Sequence, residues 1–369
     1  MAVRAIHGLP VLDLSGSPEE MGAEHGALFR EQIGVAVDGF LKRGAELFGT
    51  PYSTLCREAV RCVPFIPDEL LRELRALADA SGRAFEEILA LNCLVDVDAV
   101  QSAASQLAHC CNFAAGPPAT KDGLLVHGRN LDFPHAGVLP RVSLLISRRP
   151  SSPQRHPTLG VAWAGNVGFF TGCNAARLSL GEVGTPVTNP TLEGVPFALL
   201  LRETLEACGT LDACRDHVRA RPRTCGFNVL ICSGSESAAC CIESTPSLFG
   251  WRRSRKGRLA VDGVCLCAET GRDRLVPPAN AFRHARITEL LSMHAGEIDV
   301  PLALQFLRDR YDLARAAARG RGYNCICNEF TVHSALFLPA EQRLYVSHGS
   351  IPAPEGEYHE IRLDDLWSS

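Results

Sequence analysis

Apolar residues recur at helical spacing in the first hundred residues of the chain and alternate with polar residues after residue 110. A long helix is predicted from Ser17 toward Leu47, because Ser17 can cap it, Pro18 suits the first helical position and Glu20 completes a capping box. Two further helices are predicted, Pro67 to Ala80 and Arg83 to Leu94. The first hundred residues are therefore predicted to be helical, and residues 95–108 to be an exposed linker.

Alternating segments dominate the rest of the chain and predict strands. The predicted strands are Leu124 to His127, Val142 to Ile146, Leu159 to Trp163, Gly168 to Thr171, Leu178 to Val183, Val229 to Cys232, Ala238 to Glu243, Thr331 to Leu338 and Leu344 to His348. The helical patterns among them are Pro196 to Cys208, Leu211 to Val218, Ala285 to His294 and Pro301 to Arg319. Strands and helices in this order predict an α+β fold with two stacked sheets covered by helices.

Candidate chemistry lies where the pattern changes from helical to alternating. The thiols of Cys110 and Cys111 precede an apolar segment with a glycine turn at Gly123, which predicts a β-hairpin. Because a hairpin brings its ends together, Arg129 and Asp132 are expected close to Cys110. A nearby guanidinium lowers the pKa of a thiol and favours the reactive thiolate.

The hairpin carries an ordered motif: a cysteine, an aromatic residue, A-T-x-D-G, and then G-R-N-x-D-F. Its positions are Cys110, Phe113, Ala119-Thr120, Asp122-Gly123 and Gly128 through Phe133. This combination resembles the penicillin acyltransferase and carcinine hydrolase-like family of autoproteolytic, N-terminal-nucleophile (Ntn) acyltransferases and hydrolases. It is more distantly similar to choloylglycine hydrolases and acid ceramidase. The segment from Gly16 to Gly26 and the C-terminal pattern from Thr331 to Gly349 also resemble this family.

The resemblance implies an Ntn-hydrolase αββα four-layer sandwich, with residues 1–109 as a helical N-terminal segment and residues 110–369 as the catalytic region. It implies that the chain is cut between His109 and Cys110. The new α-amino group of Cys110 then serves as the base, since its ordinary pKa of about 7.7 suits proton transfer near neutral pH. The thiol attacks a small amide and forms a thioester, which water or an amine resolves.

The resemblance also implies roles for four further residues. Arg129 and Asp132 hold the amine and thiol of Cys110. Asn228 matches an oxyanion-hole asparagine. Asn174 falls in a segment similar to the family's G-[ML]-N-x-x-G-L, although Arg177 replaces the usual glycine, so a turn asparagine is an equal alternative. The spacing of the motif favours Cys110 over Cys111 as the nucleophile.

Composition and charge limit the choice of partners. The net charge of −4 and the scarcity of basic blocks argue against nucleic acid, because phosphate binding requires clustered Lys and Arg. The one Arg-rich stretch, Trp251 to Arg258, is interpreted as a solvated hairpin turn. No signal peptide or membrane span is evident, so a cytoplasmic protein without a membrane partner is expected. The resemblance implies a small-molecule amide as the substrate, and no cofactor is expected.

Two alternatives remain open from the sequence. A triad-type cysteine peptidase would use one of the twelve histidines as its base and would not cut itself. A non-catalytic zinc-binding protein would use Cys265, Cys267, Cys325 and Cys327, although one intervening residue in each pair is a poor match to zinc ribbons. The substrate, the choice between hydrolysis and transfer, and the oligomeric state are not determined by the sequence.

Overall fold

Two β-sheets stacked face to face form the centre of the fold. A computed structural model describes residues 3–43, 49–101, 110–134, 137–320 and 322–367. The nine-stranded sheet has the order β1-β2-β5-β6-β7-β8-β9-β10-β11, in which only β2 and β5 pair in parallel, and the six-stranded sheet has the order β12-β3-β4-β13-β14-β15. The strands are β1 (Val3–Ile6), β2 (Leu9–Gly16), β3 (Cys111–Ala115), β4 (Val126–Asp132), β5 (Ser143–Pro150), β6 (Thr158–Trp163), β7 (Thr171–Asn174), β8 (Leu178–Thr185), β9 (Gly226–Ser233), β10 (Ala238–Ser244), β11 (Phe249–Arg253), β12 (Arg258–Val261), β13 (Thr331–Leu338), β14 (Arg343–His348) and β15 (His359–Arg362).

Helices precede, interrupt and follow the strands. The α-helices are α1 (Pro18–Leu28), α2 (Arg30–Ala36), α3 (Tyr52–Ala59), α4 (Asp68–Ser81), α5 (Phe85–Gln101), α6 (Phe197–Ala207), α7 (Leu211–Ala220), α8 (Pro278–Met293), α9 (Val300–Leu307) and α10 (Asp364–Trp367). A π-helical turn (Val37–Leu41) follows α2, and short 3₁₀ turns occupy Val60–Phe65, Leu139–Arg141, Gly271–Asp273, Pro339–Glu341 and Ala353–Glu355. None of the helices in the described ranges is long and apolar enough to cross a membrane.

The hydrophobic core divides into clusters that define four layers. Helices α1 to α7 pack on the outer face of the nine-stranded sheet, while α8 and α9 pack on the outer face of the six-stranded sheet. A further cluster joins the inner faces of the two sheets. Because each sheet is covered on both faces, its central strands, such as β4, β8, β9 and β13, are buried along their whole length. The predicted αββα sandwich is therefore confirmed.

The hairpin that carries the candidate nucleophile is confirmed. β3 pairs antiparallel with β4, so that Cys111 lies opposite Asn130 and Asn112 lies opposite Arg129. Gly123 lies between the two strands with a φ of 71°, a conformation that favours glycine. The final hairpin of β13 and β14 is confirmed as well.

The prediction that the first hundred residues are all helical is wrong at their start. Residues 3–16 form β1 and β2, which complete the edge of the nine-stranded sheet through the parallel pairing of β2 with β5. The apolar residues at helical spacing begin only at Pro18, and pairing with a strand more than a hundred residues away leaves no local sequence signal. The domain boundary at 109/110 stays a prediction, since residues 102–109 lie outside the described ranges.

The bounds of three predicted elements also differ. The helix expected from residue 17 toward residue 47 is broken at Phe29, where φ is −116° and ψ is 25°, and residues 44–48 are not described. The predicted linker at 95–108 is helical as far as Gln101, because α5 is buried between other helices and the sheet. The helix expected over 301–319 ends at Leu307, with the chain turning at Arg308.

The N-terminal helix confirms the capping that its sequence predicts. The capping box of Ser17 and Glu20 is formed in both directions, at 2.7 and 3.2 Å. Gly22 packs so closely on α4 that an added Cβ would overlap the carbonyl oxygen of Glu73. The buried His25 accepts a hydrogen bond from the main-chain nitrogen of Gly165 at 3.1 Å, which is a structural role.

Candidate active site

The Cys110 thiol lies between the two sheets, directly before β3. Its side chain is fully buried. Two residues further on, Asn112 Nδ2 donates a hydrogen bond to the Gly181 carbonyl of the opposite sheet at 3.3 Å, and side chains two apart on a strand share a face. Cys111 points the other way, into the apolar cluster beneath α8 and α9 that includes Phe113. The two thiols are thus separated by the strand, and the candidate cleavage partner His109 lies outside the described residues.

Arg129 extends from β4 into the same space between the sheets. Its Nε donates to Thr171 Oγ1 at 3.1 Å, and its Nη1 donates to the main-chain oxygen of Asn130 at 3.0 Å. Nη2 has no hydrogen-bond partner among the described residues. Gly181 leaves the room for this side chain, since a Cβ there would lie 2.9 Å from Arg129 Cδ and would overlap Asn112 Oδ1.

Asp132 ends β4 beside the nucleophile. Its carbonyl oxygen lies 4.0 Å from Cys110 Sγ. Its carboxylate accepts hydrogen bonds from Thr331 Oγ1 at 2.6 Å and from Asn328 Nδ2 at 2.7 Å. Both carboxylate oxygens are therefore held, one by the first residue of β13 and one by the turn before it, and the structure brings Cys110, Arg129 and Asp132 together.

Burial dominates the electrostatics of this cluster. It raises the pKa of the Cys110 thiol to about 12, against the lowering effect of the Arg129 guanidinium. The negative charges of Glu182 and Asp132 raise the pKa of the thiol further. Burial also raises the pKa of Asp132 to about 7, although Arg283 and the two hydrogen bonds to its carboxylate oppose the shift. In the intact chain the thiol is therefore protonated at neutral pH.

Glu182 on β8 is a buried carboxylate that sequence reasoning missed. Neither of its oxygens accepts a hydrogen bond from any residue that the structure describes. Burial raises the pKa of Glu182 to about 8, while Arg129 opposes the shift and Asp96 adds to it. The available signal was a single charged residue in the predicted buried strand from Leu178 to Val183.

Thr171 connects Arg129 to a histidine. Its hydroxyl accepts from Arg129 Nε at 3.1 Å and forms a hydrogen bond with His333 Nε2 at 2.8 Å. Burial lowers the pKa of His333 well below its ordinary value, so His333 is neutral near pH 7. Within the described ranges, no histidine hydrogen-bonds to Cys110. Thr171, like Asn328 and Thr331, bears no sequence signal of its site position, because each contacts the site from a distant strand or turn.

Asn228 on β9 lies over the end of β12. Its Nδ2 donates to the main-chain oxygens of Asp262 at 2.7 Å and Val264 at 2.9 Å, and its Oδ1 accepts from Arg274 Nη1 at 2.7 Å. The preceding residue of β12, Val261, pairs with Asn112 of β3. Asn228 therefore lies beside the end of β12, the strand that neighbours β3. Its amide nitrogen donates hydrogen bonds to two main-chain carbonyls.

Asn174 lies on the opposite face of the nine-stranded sheet, toward α6. Its Nδ2 donates to the main-chain oxygens of Leu205 at 2.7 Å and Cys208 at 2.9 Å, and its Oδ1 accepts from the Leu178 main-chain nitrogen at 2.9 Å. These bonds join the β7–β8 turn to the end of α6. The structure does not bring Asn174 together with Cys110.

The four cysteines considered for zinc do not form such a site in the described part of the chain. Cys265 Sγ lies 3.2 Å from the Cys267 carbonyl oxygen and 3.1 Å from Thr270 Oγ1. Cys325 and Cys327 are buried, and they lie in the segment that connects α9 to β13 along the chain. Among the described residues, no group of three or more His, Cys, Asp or Glu side chains is arranged to hold a metal ion.

No family model matches the chain. An uncharacterized protein of Archaeoglobus fulgidus is 26% identical over 243 residues, which are 59% of this chain and 40% of that relative. Protein dcd1B of Dictyostelium discoideum is 25% identical over 261 residues, which are 63% of this chain and 50% of that relative. The chain thus spans half or less of the length of these two relatives.

Three solved structures are similar to the chain at low identity. They are a Caenorhabditis elegans N-acylethanolamine-hydrolyzing acid amidase ortholog (15% identical, TM-score 0.43, covering 63% of this chain and 93% of that one), a conjugated bile acid hydrolase mutant from Clostridium perfringens (13%, 0.45, 69% and 93%) and a penicillin V acylase from Agrobacterium tumefaciens (10%, 0.42, 65% and 83%). At such identities the activity of this chain has to be argued from its own residues. Its four layers of helices and sheets agree with the fold that the motif resemblance implies.

Proposed function

We propose that this chain is an Ntn amidohydrolase or acyltransferase of the penicillin acyltransferase-like family that cuts itself before Cys110. The observation that carries the proposal is the buried position of Cys110 directly before β3, between the sheets, with Arg129 and Asp132 of the neighbouring strand beside it. The ordered motif of the hairpin supports the same assignment.

Self-cleavage begins with the Cys110 thiol. Its sulfur attacks the carbonyl carbon of residue 109 and its proton passes to the departing amide nitrogen, so that a C–S bond forms and the C–N bond breaks. Water then hydrolyses the thioester, which leaves a carboxyl group on residue 109 and a free amine on Cys110. A buried thiol with a pKa of about 12 is a weak nucleophile, so this single turnover is expected to be slow relative to later catalysis.

The released amine changes the chemistry of the site. An α-amino group has an ordinary pKa of about 7.7, so it can accept the thiol proton near neutral pH. The sulfur then attacks the carbonyl of a small amide, the leaving amine takes the proton, and a thioester remains. Hydrolysis by water or attack by an amine completes the reaction, which makes the enzyme a hydrolase or an acyltransferase.

Arg129 and Asn228 are proposed to stabilise the reacting groups. Arg129 lowers the pKa of the Cys110 thiol and so favours the thiolate. Asn228 is the candidate donor to the oxyanion, and it must release the carbonyl of Asp262 or Val264 to donate. One such donor contributes roughly 3 kcal/mol in the transition state.

Intact mass and N-terminal sequencing of the purified protein test the proposal. Wild type is expected to give two fragments, one beginning at Cys110. Cys110→Ala is expected to stay whole, while Cys111→Ala, whose side chain faces the other way, is expected to cut as wild type does. A whole wild-type chain that turns over amides would contradict self-cleavage and favour the triad-type peptidase, and a cut at another bond would contradict Cys110 as the nucleophile.

A further inference from the structure

A second concave site lies where the chain crosses from one sheet to the other. The Arg-rich stretch forms the predicted turn, in which the main chains of Arg255 and Arg258 are hydrogen-bonded to each other, but its two flanking strands part: β11 belongs to the nine-stranded sheet and β12 to the six-stranded sheet. Between this crossing and α8 is a cavity of 470 Å³, whose lining includes Arg252, Arg253, Arg255 and Arg258. We call it the basic cavity.

The positive charge of the basic cavity is only partly compensated. Arg252 pairs with Glu243 at 2.9 Å, and Arg253 pairs with Asp212 at 3.1 Å. Arg255 and Arg258 have no carboxylate partner in the described parts of the chain. Arg258 Nη1 instead donates to the main-chain oxygen of Leu291 on α8 at 3.2 Å.

The described residues that line the cavity include no aspartate or glutamate. Clustered cations repel one another in a concave site with low-dielectric walls, and they raise the local concentration of anions there. The charge of the basic cavity therefore selects an anionic ligand.

Apart from His284, the rest of the lining is apolar or hydroxylic. Leu259 and Leu291 are buried in its floor, and the side chain of Leu266 is 54% exposed. Thr288 and Ser292 add hydroxyl groups from α8. A purely inorganic anion would leave this apolar surface uncovered, whereas a ligand with an anionic head and a short apolar chain would use both parts of the lining.

We propose that the basic cavity binds a small amphiphilic anion, with a carboxylate or phosphate head on an apolar chain. A volume of 470 Å³ is within the range of small-molecule sites. The lining does not include the nucleophile: Arg258 and Ala260 pair with Ala115 and Phe113 of β3, which are roughly 16 and 10 Å along the strand from Cys110. The proposal is therefore independent of the reaction at Cys110.

Calorimetric titration of the full wild-type chain tests the ligand class. Octyl phosphate and octanoate are both expected to bind. The ratio of their dissociation constants tells which head group the site prefers. Inorganic phosphate alone is expected to bind about ten-fold more weakly than octyl phosphate, because it lacks the apolar chain. Octanol and octyltrimethylammonium are expected not to bind. Equal binding of the anionic and cationic amphiphiles, or no binding of either anion, would overturn the proposal.

Three variants locate the binding. Arg255→Gln is expected to weaken octyl phosphate binding about ten-fold, because it removes a cation without a carboxylate partner. Lys256→Gln is the matched control: it removes the same charge from the same turn but does not line the cavity, so less than about a two-fold change is expected. Thr288→Trp, on the exposed face of α8, fills the cavity without changing its charge and is expected to abolish binding.

Thermal unfolding of each variant confirms that it is folded. Equal effects of Arg255→Gln and Lys256→Gln on binding would show only general charge attraction and would overturn the proposed site. Undiminished binding by a folded Thr288→Trp variant would overturn it as well. None of these readouts depends on self-cleavage or on turnover, so failure here and failure of the proposed function are distinguishable.

Discussion

Arg129 Nε donates a hydrogen bond to Thr171 Oγ1 at 3.1 Å, and this bond joins the strand next to the nucleophile to the opposite sheet. It holds the guanidinium, the one group of the site that lowers the pKa of Cys110, in the space between the sheets. Loss of the charge and loss of the bond should therefore have different consequences.

Arg129→Gln is expected to slow self-cleavage at least ten-fold, because each unit by which the pKa of the thiol rises corresponds to about 1.4 kcal/mol of lost thiolate stability. Thr171→Val keeps the charge but loses the bond to Arg129 together with the bond to His333, so a smaller effect is expected. The measurement is the uncut fraction of freshly synthesised protein over time by mass spectrometry. Equal slowing by both variants would contradict a charge effect.

Gly181 faces Arg129 across the interface between the two sheets, and Gly181→Ala is expected to push the Arg129 side chain out of its position. The new methyl group would overlap Asn112 Oδ1 and lie 2.9 Å from Arg129 Cδ, so the free energy of unfolding is expected to fall by roughly 1–3 kcal/mol and self-cleavage to slow. Gly209→Ala is the control, since its nearest atoms to a Cβ are 3.5 Å away. Denaturant unfolding is measured beside the rate of cleavage, and wild-type behaviour of Gly181→Ala would contradict the close approach.

Substitution of Asn228 is expected to affect the rate of catalysis, whereas substitution of Asn174 is expected to affect the stability of the fold. Asn228→Ala is expected to lower the rate of the chemical step by roughly 10²–10³-fold if it donates to the oxyanion. Asn174→Ala should destabilise the protein, because two main-chain carbonyls near the end of α6 lose their donor, but it should leave the rate of the folded enzyme unchanged. Comparison of cleavage rates with unfolding midpoints decides between the two roles. Equal rate losses in both variants would contradict the assignment.

The stability of the uncut chain should depend on the charge of Glu182. Its pKa of about 8 in the folded chain lies above the ordinary value of 4.5, so between these values the folded state binds more protons than the unfolded state. The stabilisation is full below pH 4.5 and is lost as the pH rises through 8. Asp132 acts in the same direction up to about pH 7.

Glu182→Gln cannot ionise and should escape this loss. In a Cys110→Ala background, which keeps the chain whole, the variant is expected to gain roughly 1–3 kcal/mol relative to its parent between pH 5 and pH 8.5. Glu193→Gln at an exposed position is the control and should show no such gain. Denaturant unfolding at both pH values provides the comparison, and a pH-independent difference would refute the assignment to Glu182.

The sequence alone determined the elements with a local signal. The capping box at Ser17, the periodic helices α4 and α6, and the hairpin around Gly123 were all predicted, because caps, periodicity and turn glycines act within a few residues. The cluster of Cys110, Arg129 and Asp132 followed from that hairpin, since the register of two adjacent strands is a short-range property.

Only the tertiary structure decided the contacts made across long separations. β1 and β2 join a strand more than a hundred residues away, Cys110 and Cys111 face different layers, and Asp132 is held from the start of β13. The same applies to Glu182, a buried carboxylate of β8 whose charge raises the pKa of the thiol, and to the basic cavity, which forms where β11 and β12 part to different sheets. Such contacts depend on how layers pack, and packing is a property of the whole core that no local pattern encodes.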